Sequence, residues 1–193
     1  TQSTTAKPHA IQVDQSGVRY MNEGGSYEEF CENMLIRNRT VPAIPSWAIM
    51  DQQYMDEYDV AGQGKAKKNL TKWLQSGWMK RADSIEELAN AINVPADALK
   101  NTVGRWNGFV RGGKDEDFLR GERAYDNFLG DPFFTDGPNK SMGTIEKGPF
   151  YAIPIVPGDV GTYGGVVCDS DSRVLTPEGK PIQGLYACGV STA

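Results

Sequence analysis

The stretch Gly148-Pro-Phe-Tyr-Ala-Ile-Pro-Ile-Val156 marks the point at which the sequence changes from helical to strand-like patterns. Its run of apolar and aromatic residues predicts a β-strand, in which Pro154 indicates a sheet edge or a bulge because proline donates no hydrogen bond. Further short strands are predicted after it, separated by turn-forming residues, at residues 166–169, 173–175 and 184–189. The last part of the chain is therefore expected to be β structure.

Helical patterns precede this stretch. Glu28–Arg37 places its apolar residues on one face of a helix. Asp83 and Glu86 have the spacing of a capping box, which predicts a helix N-terminus at Asp83. A longer helix is expected to start at Pro95, where a missing N–H does no harm, and to stop at Gly112-Gly113.

Two strand predictions complete the first part of the chain. Residues 11–22 alternate between apolar and polar on both sides of a polar turn at Asp14–Gly17, which predicts a β-hairpin. Ser46–Met50 reads as a short apolar strand. The predicted fold class is therefore α+β, with a junction near residues 148–163.

Composition limits the function classes. The chain has 193 residues of which 39% are hydrophobic, enough for one globular domain, or one domain plus a fragment. Its net charge is −5 with both signs interspersed, which argues against a nucleic-acid partner. No apolar run approaches the roughly 20 residues that cross a bilayer, so no membrane anchor is predicted.

Cysteine and histidine content narrows the chemistry. Cys31, Cys168 and Cys188 are far apart and lack metal-type spacing, which favours reduced thiols and a cytoplasmic location. His9 is the sequence's one histidine. No metal site is therefore expected, and a His-based catalytic triad is not favoured. The first residue is not Met and the last residues form a strand that reaches a glycine turn, so we expect an excised piece of a longer protein.

Three glycine-containing segments are candidates for a site. They are residues 17–27, with Gly24-Gly25 before Tyr27, residues 157–165 and residues 184–193. Glycines let a backbone approach a flat or bulky group closely. Each segment taken alone is explained equally well by an ordinary turn or an amphipathic surface.

Five stretches, taken together and in their order along the chain, favour a functional explanation. The first, Gly17-Val-Arg-Tyr-Met-Asn-Glu23, has the pattern Gly-x-Arg-Phe-x-Asn-Glu with Tyr in place of Phe. The others are Asn101–Phe118, Gly148-Pro-Phe-Tyr-Ala152, Gly161–Leu175 and Gly184-Leu-Tyr-Ala-Cys-Gly189. Together they resemble the flavoproteins that include fumarate reductase, the succinate dehydrogenase flavoprotein and the 3-ketosteroid dehydrogenases.

The resemblance implies a substrate-capping domain at residues 1–160 and, at residues 161–193, an incomplete segment returning to the FAD-binding domain. It implies FAD as cofactor, with contacts from Gly161, Thr162, Gly164, Gly165, Gly189 and Ser191. The family usually has Glu or Asn after the last of these glycines, and here Val190 occupies that place, so either Ser191 or the backbone alone serves. No Gly-x-Gly-x-x-Gly segment is present to bind the pyrophosphate, so an FAD-binding domain of the same polypeptide is expected as partner.

Two residues that differ from those of the fumarate reductases indicate which members of the flavoprotein family this sequence resembles most. At the place of their proton-donating Arg this sequence has Tyr27, and at the place of a His it has Gly161. A dicarboxylate needs fixed cations to replace its lost water, so succinate and fumarate are not favoured. The resemblance to 3-ketosteroid dehydrogenases instead implies catalysis by Tyr27, with Tyr54 as a second candidate. Either tyrosine could instead only line an apolar pocket.

The resulting prediction is a substrate-capping fragment, inactive alone, of an FAD-dependent oxidoreductase that dehydrogenates a 3-ketosteroid or a similar apolar ketone. Such enzymes abstract a proton beside a ketone and pass a hydride to the flavin. Two alternatives stay open. The full-length protein could be a fumarate reductase-like flavoprotein acting on another substrate, or the chain could be a small-molecule binding module without redox chemistry.

Overall fold

A computed structural model describes residues 2–158 and 164–192. The chain divides into two compact units, Thr1–Pro157 and Gly158–Ala193. This division lies close to the boundary predicted after residue 160.

The first unit contains seven helices and four strands within its described residues. In chain order they are α1 (Gln2–Thr5), β1 (Ala10–Val13), α2 (Tyr27–Arg37), β2 (Ser46–Met50), α3 (Gln52–Glu57), α4 (Ala66–Gln75), β3 (Lys80–Ala82), α5 (Ile85–Ala91), α6 (Ala96–Gly112), α7 (Ala124–Leu129) and β4 (Phe150–Ile155). The predicted α+β class agrees with this content.

The four strands form one antiparallel sheet in the order β1-β2-β4-β3. Ile49 of β2 is paired with Ile11 of β1 on one side and with Ala152 of β4 on the other. Pro154 pairs with Trp47 of β2, while β3 pairs only with residues 150–152 of β4. Pro154 therefore lies where β4 is locally an edge strand, as its missing N–H requires.

The predicted hairpin at residues 11–22 is wrong. Its turn forms, with Gly17 at φ 78° and the Asp14 N–H donating to the Val18 carbonyl at 3.0 Å. No second strand follows, and β1 pairs with β2 instead. The reason is that Arg19 and Glu23 enter a buried network of charged side chains rather than a sheet.

The sheet is buried on both faces. Ile11, Ile49 and Ala152 belong to a core that includes residues of α5 and α6. Their strand neighbours on the opposite face, among them Met50 and Tyr151, pack with residues of α2, α3 and α4. Alternate strand residues therefore face two helical layers, which gives the first unit a helix–sheet–helix arrangement.

The helix predictions are largely confirmed. Helices α2 and α6 occupy the predicted stretches, and α6 ends at Gly113 with φ 89°, the left-handed conformation that suits glycine. The N-cap of α5 differs by one residue, since Ser84 rather than Asp83 accepts a hydrogen bond from the Glu87 N–H. The Glu87 carboxylate in turn accepts from the Asp83 N–H at 3.1 Å, so the return bond goes to the residue before the N-cap and the reciprocal box does not form.

The second unit is built around a two-stranded antiparallel ribbon of β5 (Arg173–Leu175) and β6 (Pro181–Tyr186). The predicted strand at residues 166–169 is reduced to isolated bridges at Val166 and Cys168. The predicted strand at residues 184–189 is also shifted, because β6 ends at Tyr186 and residues 189–191 form a 3-10 turn.

Candidate functional site

Tyr27 is the first residue of α2 and is partly exposed. The helix begins there because Ser26 caps it, its hydroxyl accepting a hydrogen bond from the Glu29 N–H at 3.2 Å. Gly24-Gly25 leads into this cap. A phenol at such a helix start can reach a ligand while its backbone is fixed by the helix.

The Gly24-Gly25 turn packs closely against other side chains. A Cβ at Gly24 would lie 3.0 Å from the Cβ of Asp126, and a Cβ at Gly25 would lie 2.6 Å from Oε2 of Glu29. Neither position therefore has room for a side chain without movement. This packed turn directly precedes the Ser26 cap, after which α2 begins at Tyr27.

Arg123 and Asp126 connect α7 to the same turn. Arg123 donates two hydrogen bonds from Nη1 to the carboxylate oxygens of Glu29, at 3.1 and 3.0 Å. Asp126 is fully buried and accepts from Nδ2 of Asn22 at 3.0 Å and from the Gly121 N–H at 2.9 Å. Residues before and after Tyr27 are therefore bound to one short helix.

A buried ionic network lies under the first family motif. Arg19 donates to both oxygens of Glu23 at 2.8 Å and to both oxygens of Asp115 at 3.1 and 2.9 Å. Arg120 is fully buried and approaches Glu23 at 3.3 Å. Both guanidinium groups lie over the ring of Trp106, at 4.5 and 4.9 Å from its centre. The motif's Arg and Glu therefore anchor the structure instead of facing a ligand.

The network alters the pKa values of its members. Burial alone would lower the pKa of Arg19, but the charges and hydrogen bonds of Glu23 and Asp115 outweigh it and raise that pKa. Burial alone would raise the pKa of Asp115, yet the hydrogen bond and charge of Arg19 lower it below its usual value. Burial lowers the pKa of Arg120. Sequence reasoning missed the roles of Asp115 and Arg120, and no local pattern marks them.

Tyr54 lies in a different environment from Tyr27. It is fully buried in α3, within the core on the α2, α3 and α4 side of the sheet. Its hydroxyl donates to the carbonyl of Asp59 at 2.9 Å, and burial raises its pKa. This placement favours a packing role, and the predicted catalytic role of Tyr54 stays a prediction.

The apolar residues of β2, which precede Tyr54 in sequence, are divided between the two faces of the sheet. Ile49 and Met50 are both buried, but they face opposite helical layers. Trp47 is partly buried and packs beside the α5 and α6 core. Ile49 and Met50 are therefore core residues of the first unit, and Trp47 packs against that core.

The predicted FAD-contacting residues belong to the second unit. Gly161 and Thr162 lie outside the described residues. Among the described residues, apart from the adjacent ones in the chain, no atom lies within 4 Å of a Cβ built at Gly164 or Gly189. The Gly189 carbonyl accepts hydrogen bonds from the N–H and hydroxyl of Thr192. A Cβ at Gly165 would lie 2.4 Å from the Ser191 carbonyl oxygen, which accepts from the Val166 N–H at 3.0 Å. Glycine is thus required for residues 164–166 to pair with the 3-10 turn.

This arrangement fits a flat cofactor in part. The segment offers glycine positions without side chains and the exposed hydroxyl-bearing Ser191. Within residues 2–158 and 164–192, no group of three or more potential ligands could bind a metal ion. In the same described part of the chain, no helix is long and apolar enough to span a membrane.

Sequence comparisons identify the relatives. A 3-oxosteroid 1-dehydrogenase of Mycolicibacterium smegmatis is 46% identical over 187 residues, 94% of this chain and 32% of that protein. A 4-oxocyclohex-2-ene-1-carboxylate 5-dehydrogenase of Sinomonas cyclohexanicum is 36% identical over 184 residues, 95% of this chain and 31% of that protein. The chain therefore spans about a third of the length of these curated relatives.

Solved structures confirm the fold. The crystal structure of 3-ketosteroid delta1-dehydrogenase from Sterolibacterium denitrificans in complex with 1,4-androstadiene-3,17-dione is similar with a TM-score of 0.88 and 34% identity, over 99% of this chain and 34% of that chain. The open conformation of a flavocytochrome c3 fumarate reductase gives a TM-score of 0.63 at 24% identity, over 100% of this chain and 28% of that chain, and supports the fold alone.

The family match covers the whole chain. Residues 1–193 match the family described as FAD binding domain, which supports FAD as the cofactor. The resemblance inferred from the five motifs is confirmed by this match together with the relatives and solved structures. The chain belongs to the FAD binding domain family.

Proposed function

We propose that the full-length protein is an FAD-dependent oxidoreductase that dehydrogenates a 3-ketosteroid or a similar apolar ketone. The observation that carries this proposal is the 46% identity to a 3-oxosteroid 1-dehydrogenase across 94% of the chain. In this proposal residues 1–160 cap the substrate and residues 161–193 return to the FAD-binding domain of the same polypeptide. The chain alone would be inactive, and the protein would act in the cytoplasm.

Tyr27 is the proposed catalytic residue. It is partly exposed and lies at the start of α2, a placement compatible with contact to a substrate. The hydroxyl can donate a hydrogen bond to the ketone oxygen or, once deprotonated, accept the proton from the adjacent carbon. Bound FAD would supply the hydride acceptor for this chemistry.

The proposed contacts to FAD come from the second unit. Gly164 and Gly189 lack side chains that would keep a flat group away from the backbone, and the exposed Ser191 offers a hydroxyl. Gly165 allows the close pairing that shapes this backbone. Gly161 and Thr162 complete the set that the sequence predicts.

The test is made on the full-length protein. We expect it to purify yellow and to reduce an artificial electron acceptor when given a 3-ketosteroid. A flavin-free product that still binds the steroid would instead favour the non-catalytic binding module. Tyr27→Phe should lower kcat far more than it changes KM, as expected for a group that acts in the transition state. An unchanged kcat would mean that Tyr27 only lines the pocket and takes no part in catalysis.

A second candidate function comes from the Sinomonas relatives. A 4-oxocyclohexanecarboxylate 2-dehydrogenase of that organism is 38% identical over 192 residues, and the substrate in its name is a smaller cyclic ketone. A panel of 3-ketosteroids, cyclohexanone carboxylates and fumarate separates the candidates by kcat/KM. Turnover of fumarate alone would support the fumarate reductase-like alternative.

A further inference from the structure

We propose that Arg123 and Asp126 of α7 are positioning residues that fix Tyr27 for catalysis. This inference rests on the proposed function, because it assigns Tyr27 the catalytic role. It concerns a different part of the chain, about a hundred residues after Tyr27, which no motif in the sequence connects to it.

Asp126 provides the buried half of the contact. Its carboxylate accepts hydrogen bonds from Asn22 Nδ2, from the Gly121 N–H and from Arg123 Nε at 3.0, 2.9 and 3.1 Å. The same Asn22 accepts from the Gly24 N–H at 2.8 Å through its Oδ1. The chain of hydrogen bonds therefore runs from α7 into the backbone of the turn that precedes Tyr27.

Arg123 provides the partly exposed half. Its bonds to Glu29 bind α7 to the first turn of α2, two residues after Tyr27. Its Nη2 would also lie 3.2 Å from a Cβ at Gly25. Residues on both sides of Tyr27 in sequence therefore contact the same short helix and its N-cap. Gly24-Gly25 does so before Tyr27, and Glu29 does so after it.

Because the Arg123–Glu29 ion pair is partly exposed, its effect on the position of Tyr27 can be distinguished from its effect on folding stability. The side chains of Arg123 and Glu29 are 43% and 41% exposed. Ion pairs of this kind contribute little to folding. Catalysis is more sensitive, because a displacement of about 1 Å in a reacting group can slow turnover by about a hundredfold. Loss of the pair should therefore affect turnover more than unfolding.

The test uses the full-length flavoprotein and Arg123→Gln. We expect kcat for a 3-ketosteroid to fall by about tenfold with KM nearly unchanged. The unfolding midpoint should fall only modestly, because Arg123 also donates to the buried Asp126 at 3.1 Å, while that carboxylate keeps its bonds to Asn22 and the Gly121 N–H. Arg111→Gln is the matched control, since Arg111 pairs with Glu146 at 62% and 41% exposure in a different part of the unit. The control should keep the kcat of the unmodified protein. Arg123→Lys, which retains a positive charge next to Glu29, should recover part of the loss.

A double-mutant cycle tests whether the effect passes through Tyr27. In the Tyr27→Phe background, Arg123→Gln should cause no further loss of kcat, because the group that it positions is absent. A loss of equal size in both backgrounds would overturn the proposal. So would a kcat for Arg123→Gln equal to that of the Arg111→Gln control.

Failure of the proposed function gives a different result. If the unmodified flavoprotein turns over no ketosteroid, the proposed activity is wrong, and hydrogen exchange of residues 24–30 then tests the positioning. Faster exchange of this segment in Arg123→Gln than in Arg111→Gln would support the proposal that Arg123 fixes the start of α2. Identical exchange in the two variants overturns it.

Discussion

Arg120→Met should strongly destabilise the first unit. Arg120 is fully buried and donates to the carbonyls of Lys7 at 2.8 Å and Ala10 at 2.8 Å. It also donates to the carbonyl of Ser141 at 2.6 Å and to its hydroxyl at 2.9 Å. It also approaches Glu23 at 3.3 Å and lies over the Trp106 ring at 4.9 Å from its centre. Methionine has a similar length and can replace none of these donors.

The magnitude follows from the groups left behind. A buried acceptor without its donor costs about 1–3 kcal/mol, and removing one member of a buried ion pair costs about 3–5 kcal/mol. Glu23 keeps its bonds to Arg19, so the two estimates overlap and do not add. We expect a loss of about 5 kcal/mol, which is a large part of the roughly 5–15 kcal/mol that stabilises an ordinary domain.

The assay is urea unfolding of the full-length protein, followed by far-ultraviolet circular dichroism and tryptophan fluorescence. Trp106, one of four tryptophans in the sequence, lies against the Arg120 guanidinium and contributes to the fluorescence change. Arg111→Met is the control, and its exposed position should limit its effect to about 0.5 kcal/mol. A loss for Arg120→Met of no more than about 1 kcal/mol, the value of one ordinary hydrogen bond, would refute the reasoning.

Three further predictions concern single side chains. Asp51→Ala removes the N-cap of α3 and a carboxylate that accepts from the N–H groups of Glu146 and Lys147, so unfolding should become easier by about 2–4 kcal/mol in urea titrations. Burial raises the pKa of Tyr20 to about 12, so its stabilising effect is complete below about pH 10 and lost as the pH rises to 12. Alkaline unfolding curves of Tyr20→Phe should lack this component. Tyr54→Phe should cost about 1 kcal/mol and leave kcat unchanged if the residue only packs, whereas a large fall in kcat would support the catalytic prediction.

Local signals in the sequence predicted the elements that depend on local chemistry. The start of α6 at Pro95 and its end at Gly113 follow from the backbone preferences of proline and glycine. The sheet order could not be predicted in this way. Ile49 pairs with Ile11 and Ala152, which are distant in sequence, and no turn fixes either register.

In the candidate site, too, only part of the arrangement could be predicted from the sequence. Tyr27 could be selected because it stands at a known place in a motif, and the structure leaves it partly exposed. The contacts that α7 makes to the turn before Tyr27 could not be predicted from the sequence. Asp126 contacts Asn22 across more than a hundred residues, and a single buried carboxylate resembles any surface Asp when only its neighbours in sequence are known.

The segment from Gly17 to Tyr27 combines two physical tasks in eleven residues. Its first part carries Arg19 and Glu23, whose buried charges would destabilise the unit unless they met Asp115 and Arg120 in a defined geometry. Such a network tolerates little displacement, because each charge requires its partner. The second part of the segment starts from this rigid base and needs only a short glycine turn to reach Tyr27. A phenol placed so close to a fixed ionic core can be positioned accurately, which the proposed catalytic role of Tyr27 would require.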